Sequence, residues 1–160
     1  LFGVTGSNGS GVAAGFYPSS PFPSQNLTMS FGTTTNQCNA ATMVTTSVTA
    51  GNTRTIDLTL LQALDGTAMT LTKVKTLQAA VTASGTTATD PVYTLGPSSV
   101  ANGAVLGFGA TQAKVDVRFG GYEQYNLVSG WGVTSTNKLL ILSNPGAYDV
   151  TAAIFITGTT

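Results

Sequence analysis

The sequence predicts an all-β protein, an antiparallel β-sandwich or jelly-roll-like domain preceded by an extended N-terminal arm. Three observations support that class: short runs of apolar and polar residues alternate with period two, turn residues separate those runs, and Thr is abundant. Thr favours strands because its branched Cβ suits a pleated surface and loses rotamer freedom in a helix. No apolar pattern reaches the roughly 10 to 12 residues that would specify a helix.

The chain has 160 residues, the size of one domain with a two-layer core. Hydrophobic residues make up 42% and charged residues 8%, against an ordinary charged share of about 25%. Six basic and six acidic residues give a formal net charge of zero, so no basic field exists to hold phosphates and nucleic-acid binding is not expected. A neutral, weakly charged surface does little to oppose self-association. No apolar run approaches the roughly 20 residues needed to cross a bilayer as a helix, and no membrane partner is expected. Residue 1 is Leu rather than Met, as a trimmed or incomplete start would give.

Residues 1–41 read as the arm. Every charged residue lies at or beyond Arg54, and the N-terminal stretch is rich in Gly, Ser, Pro, Asn and Thr without sustained periodicity. Pro18, Pro21 and Pro23 remove backbone donors and bias their predecessors towards extended conformations. A solvated tail usually carries charge and avoids aromatics. This one instead presents Phe16, Tyr17, Phe22 and Phe31. Burial of each ring is worth roughly 1.5 to 3 kcal/mol, enough to offset part of the ordering cost if a groove receives it. Those four rings are the expected contacts to a neighbouring subunit, with folding back onto the same domain as the alternative.

Residues 42–160 carry the strand pattern. Ile56, Leu58 and Leu60 are expected on one face, with Asp57 and Thr59 on the other. Asp65-Gly66 marks a turn before a strand around Met69 to Val81. In Ala113 to Phe119, Ala, Val, Val and Phe alternate with Lys114, Asp116 and Arg118, as in a strand with one wet face. Asn144-Pro145-Gly146 separates Leu139–Leu142 from the last strand and predicts a hairpin. In that last strand Tyr148, Val150, Ala152, Ile154 and Ile156 form one apolar face, and Phe155 on the other side predicts cover on both faces. Leu60 to Leu64 is long enough for one helical turn only.

The chemistry-bearing residues are few. Histidine is absent, which removes the commonest general base and every His-containing triad, and the single Cys38 forms neither an intrachain disulfide nor a zinc cluster. Asp57 and Asp116 occupy outward strand positions, Asp65 and Asp149 lie at turns, Asp90 precedes Pro91, and only Glu123 lacks such an account. No catalytic, cofactor or metal residue is therefore expected. Gly103 to Gly109 lacks the Lys-Ser or Lys-Thr of a phosphate-cradling loop. Asn8-Gly9-Ser10 and Asn26-Leu27-Thr28 match the glycosylation sequon, a pattern that arises by chance in such a chain. Tyr122, Tyr125 and Trp131, flanked by Asn and Gln and read as lying around loops, form the one candidate glycan-stacking surface.

A succession of short segments also carries a resemblance. Thr55-Ile56-Asp57-Leu58-Thr59, Asp65-Gly66-Thr67-Ala68, Leu71-Thr72-Lys73-Val74-Lys75 and Leu95-Gly96-Pro97 come first. Gly130-Trp131-Gly132-Val133-Thr134, Lys138 through Gly146 and Ile154-Phe155-Ile156-Thr157-Gly158 complete the order. Over residues 43–160 this resembles a loose family of small all-β virion structural proteins of tailed bacteriophages and prophages. The resemblance implies a capsid decoration, minor capsid or head-fibre component on the outer surface of the particle. The resemblance carries over no functional residues, and residues 1–42 depart from its pattern. The near-absent charge, the aromatic arm and the lack of catalytic groups point to partners that are further copies of the chain, as a trimer first of all or a larger ring, and other virion proteins. A carbohydrate-binding or adhesin-like module, or a subunit of a cellular extracellular filament, is the alternative.

Overall fold

A computed structural model describes residues 2–4, 15–17, 30–84, 92–97, 101–104, 106, 114–118 and 122–160, with backbone alone at 2–4, 15–17, 82–84 and 92. The described residues hold strands and no helix. Short strands β1 (Phe2–Val4) and β2 (Gly15–Tyr17) pair with each other, and β3 (Ser30–Phe31) pairs in parallel with β4 (Gln37–Cys38). The long strands follow: β5 (Ala40–Val48), β6 (Thr53–Asp57), the small pair β7 (Leu61–Gln62) and β8 (Ala68–Met69), then β9 (Lys73–Ser84). After them come β10 (Val92–Gly96), β11 (Val115–Arg118), β12 (Tyr122–Gly132), β13 (Leu139–Ser143) and β14 (Val150–Thr159).

Two four-stranded antiparallel sheets result, ordered β12-β9-β14-β5 and β11-β10-β13-β6. The pairings are nested. The first long strand, β5, lies beside the last, β14; β6 lies beside β13, β9 beside β12, and β10 beside β11. Successive nested pairs fall in alternate sheets. A long double strand rolled over on itself gives this order, which is that of an eight-stranded jelly roll.

Between the sheets, alternation brings Val48, Val74, Leu77, Ala79, Val81, Ala152, Ile154 and Ile156 against Ile56, Tyr93, Leu95, Val117, Leu140 and Leu142, in one continuous core. The expected alternation around Val117 holds: Val117 is buried, while Lys114, Asp116 and Arg118 are exposed. Ala113 and Phe119 lie outside the described residues.

Four local expectations are corrected. Ile56 and Leu58 are buried but Leu60 is exposed, because the strand stops at Asp57. The Asp57 carboxylate accepts hydrogen bonds from the Thr59 N–H (2.9 Å) and hydroxyl (2.6 Å), which closes a turn and rotates Leu60 outward. Leu61–Gln62 belongs to a short strand, so the one-turn helix does not form.

Asn144-Pro145-Gly146 is likewise not a hairpin turn. It carries the chain from β13 in one sheet to β14 in the other. The buried Asn144 side chain holds that crossing, donating to the Val48 and Tyr148 carbonyls (both 2.8 Å) and accepting from the Gly146 N–H (3.0 Å). Tyr148 lies in this crossing and is exposed, so it leaves the apolar face that Val150, Ala152, Ile154 and Ile156 do form.

Candidate interaction surface

The outer face of the β12-β9-β14-β5 sheet includes three successive cross-strand rows. Ala41, Thr157, Thr76 and Asn126 make the first; Met43, Phe155, Gln78 and Gln124 the second; Thr45, Ala153, Ala80 and Tyr122 the third. None carries a charge. Along the two central strands this face is dry: Phe155 is 1% exposed and Ala80 and Ala153 are 0%, forming a small cluster of their own apart from the inter-sheet core. The expectation of cover on both faces of β14 is met at Phe155. On the flanking strands the rows come back into solvent at Met43, Thr45, Tyr122 and Asn126.

Polar groups within the dry strip are incompletely paired. Gln78 Nε2 donates to Gln124 Oε1 (3.2 Å), but Gln78 Oε1, Thr76 Oγ1 and Thr157 Oγ1 are buried without a hydrogen-bond partner. Each such group costs about 1–3 kcal/mol relative to water.

A bulge bounds the strip at one end. The β9–β12 register shifts between Asn126 and Trp131, and β9–β14 shifts between Thr157 and Gly158. Gly158 is required there: a Cβ would fall 2.1 Å from the Lys73 carbonyl oxygen. Beside this bulge Lys75 is 1% exposed, and its ammonium donates to the carbonyl oxygens of Thr34 (3.0 Å) and Val128. Burial, and then the neighbouring Lys73 charge, lower its pKa. Lys75 thereby fixes the segment Ser30–Cys38 against the sheet, helped by the Asn36 N–H donating to the Val128 carbonyl (3.3 Å). Burial raises the Cys38 thiol above its ordinary value, partly opposed by the charge of Lys75.

The sequence-expected aromatic residues distribute as follows. Phe16 and Tyr17 are in β2, where the backbone alone is described, and Phe22 lies outside the described residues. Phe31 in β3 is 53% exposed. Tyr122, Tyr125 and Trp131 lie on one strand, β12, rather than around loops. Strand alternation separates them. Tyr125, opposite Leu77, and Trp131, opposite Val74, pack their rings on the inter-sheet core, whereas Tyr122, opposite Ala80, occupies the outer face. Burial, and then Glu123, raise the Tyr125 hydroxyl above its ordinary value.

The acidic side chains hold local structure. Asp57 forms a half-buried ion pair with Lys138 (2.7 Å), which leads into the neighbouring strand β13 of the same sheet. Asp65 accepts from the Thr67 N–H and hydroxyl in the Asp65-Gly66 turn, and Asp149 accepts from the Ala50 N–H (3.0 Å). Asp116 pairs with Arg118 at 3.6 Å in solvent, and Asp90 lies outside the described residues. Among the described residues no group of three His, Cys, Asp or Glu could hold a metal ion, and no helix is long and apolar enough to cross a membrane.

The structure thus defines the class as an all-β sandwich with antiparallel sheets in jelly-roll order. No protein-family model matches the chain, and a search of the curated proteins gives no match. The chargeless sheet face was missed in the sequence because Thr76 and Gln78 alternate with Val74, Leu77 and Ala79 as in a strand with a wet side.

Proposed function

We propose that the chain is a non-enzymatic structural subunit of an outer assembly, a virus particle first of all, acting through contacts between copies and with other particle proteins. One observation carries this reading: three successive rows on the outer face of a jelly-roll sheet have no charge, with Met43 and Tyr122 exposed on their shoulders. Charged side chains are depleted at the centres of protein interfaces, and an uncharged face presents no repulsion between copies. Jelly rolls serve many capsid domains but also lectins, so fold alone does not decide. Size-exclusion chromatography with light scattering tests the reading. A trimer or larger closed ring is expected at micromolar concentration, and Met43→Lys with Tyr122→Lys should dissociate it. A fully dispersed monomer would remove intrinsic oligomerisation from the proposal.

The second reading is glycan binding at the β12 edge, favoured by Tyr125 and Trp131 presenting partly exposed rings on the same side of that strand. It is tested on a glycan array with Trp131→Ala. Absence of binding, or binding unaffected by the substitution, would remove it.

A further inference from the structure

We infer that the dry outer strip of the β12-β9-β14-β5 sheet is a docking surface for an extended, uncharged peptide segment, and that its occupant is residues 1–29 of the same chain. The strip needs a cover. Phe155, Ala153, Ala80, Thr76 and Gln78 are 0 to 2% exposed on a face that points away from the inter-sheet core. The strands on either side are exposed on that face at Thr45, Met43, Tyr122 and Asn126, so the cover is narrow. Two central strands span about 10 Å in width, the footprint of one or two extended chains and not of a second globular face.

The route of the chain selects the occupant. Ser30–Cys38 is fixed to this sheet at the bulge by Lys75 and Val128, so the segment entering at Ser30 arrives beside the strip. The composition fits as well. Residues 1–29 contain no charge, and neither does the strip. Their Phe and Tyr rings suit the small-residue floor made by Ala80 and Ala153 beside Phe155, while backbone and amide N–H groups would satisfy Gln78 Oε1, Thr76 Oγ1 and Thr157 Oγ1. This inference concerns the isolated chain and leaves to contacts between copies the exposed shoulders of the same face, Met43, Thr45, Tyr122 and Asn126.

Thiol labelling of the full chain in a Cys38→Ser background tests it. A thiol introduced by Ala153→Cys in the strip is compared with one introduced by Thr55→Cys on the exposed face of the other sheet. The Ala153→Cys variant is expected to react at least about tenfold more slowly, because its modification waits for local opening. Adding Phe16→Ser, Tyr17→Ser and Phe22→Ser should bring its rate close to that of Thr55→Cys without altering the latter. Thr157→Cys, nearly isosteric, repeats the measurement if Ala153→Cys does not fold. Equal rates at the outset, or a slow rate unaffected by the three arm substitutions, would overturn the proposal. A labelling rate that falls as protein concentration rises would overturn the same-chain assignment, since the cover would then come from a second copy.

Discussion

The two sheets bury the same kind of inner face and differ on the outside. The β11-β10-β13-β6 sheet carries Asp57, Asp116 and Arg118 outward, with Thr53 and Thr55 in solvent. The β12-β9-β14-β5 sheet carries no charge in its three outer rows and is dry along β9 and β14. The first is wet along its edge strands β6 and β11 and carries charge there, with Thr94 and Ile141 buried at its centre; the second is chargeless in those rows and behaves as a second, shallower core. The proposed contacts with other chain segments rest on that difference.

The largest test of that difference is Phe155→Ala, expected to cost about 4 kcal/mol by removing a ring buried outside the main core, whereas Thr55→Ala on the exposed face should stay within about 0.5 kcal/mol. Urea denaturation of both variants measures the contrast, and equal effects would break it. Gly158→Ala follows, at about 3 kcal/mol, because the new methyl would meet the Lys73 carbonyl and the Leu71 side chain and the bulge must reopen. Its readout is the thermal midpoint.

Asn144→Ala tests the link between the sheets. Two carbonyls lose their Asn144 donor, that of Val48 within a buried contact, and about 2 kcal/mol of stability should go with them. The smallest effect belongs to the solvent-facing side. Lys138→Met should cost about 0.5 kcal/mol at neutral pH, since the pair is only half withdrawn from water. Partial burial alone would raise the Asp57 carboxyl, but the Lys138 ammonium and the Thr59 N–H and hydroxyl outweigh it and hold the group below its ordinary 3.8. A carboxyl lowered in the folded state contributes stability above its unfolded value, and that contribution disappears as pH falls through the lower folded value. Melting curves of wild type and Lys138→Met should therefore differ near neutrality and converge below about pH 4.

Much of the sandwich was legible in the sequence because burial on one face imposes period two, as at Val115–Arg118 and Val150–Ile156. Elements failed where a side chain overrode the period or where the decisive partner was distant. Asp57 ends its strand by capturing Thr59, so Leu60 left the expected face. Asn-Pro-Gly announces a change of direction but not which sheet receives the next strand. That choice is made by Asn144 reaching Val48, a contact far away in sequence. Glycines on both sides of Trp131 look like loop residues in the sequence, whereas Gly130, at φ +79°, accommodates a bulge within one continuous strand. Strand order depends on pairings between the two ends of the domain, which no local pattern encodes.

Those end-to-end pairings have a consequence for biosynthesis. β14, at the C-terminal end, is a central strand, flanked by β5 and β9 through almost its whole length. A nascent chain on the ribosome therefore holds β5 and β9 with a vacant place between them until Thr159 has emerged, and neither sheet face of that half can close sooner. Closure spans nearly the whole domain, a topology that folds slowly and leaves strand edges unpaired during the wait. Arrest of translation before β14 has left the ribosome would leave β5 and β9 without the strand that joins them.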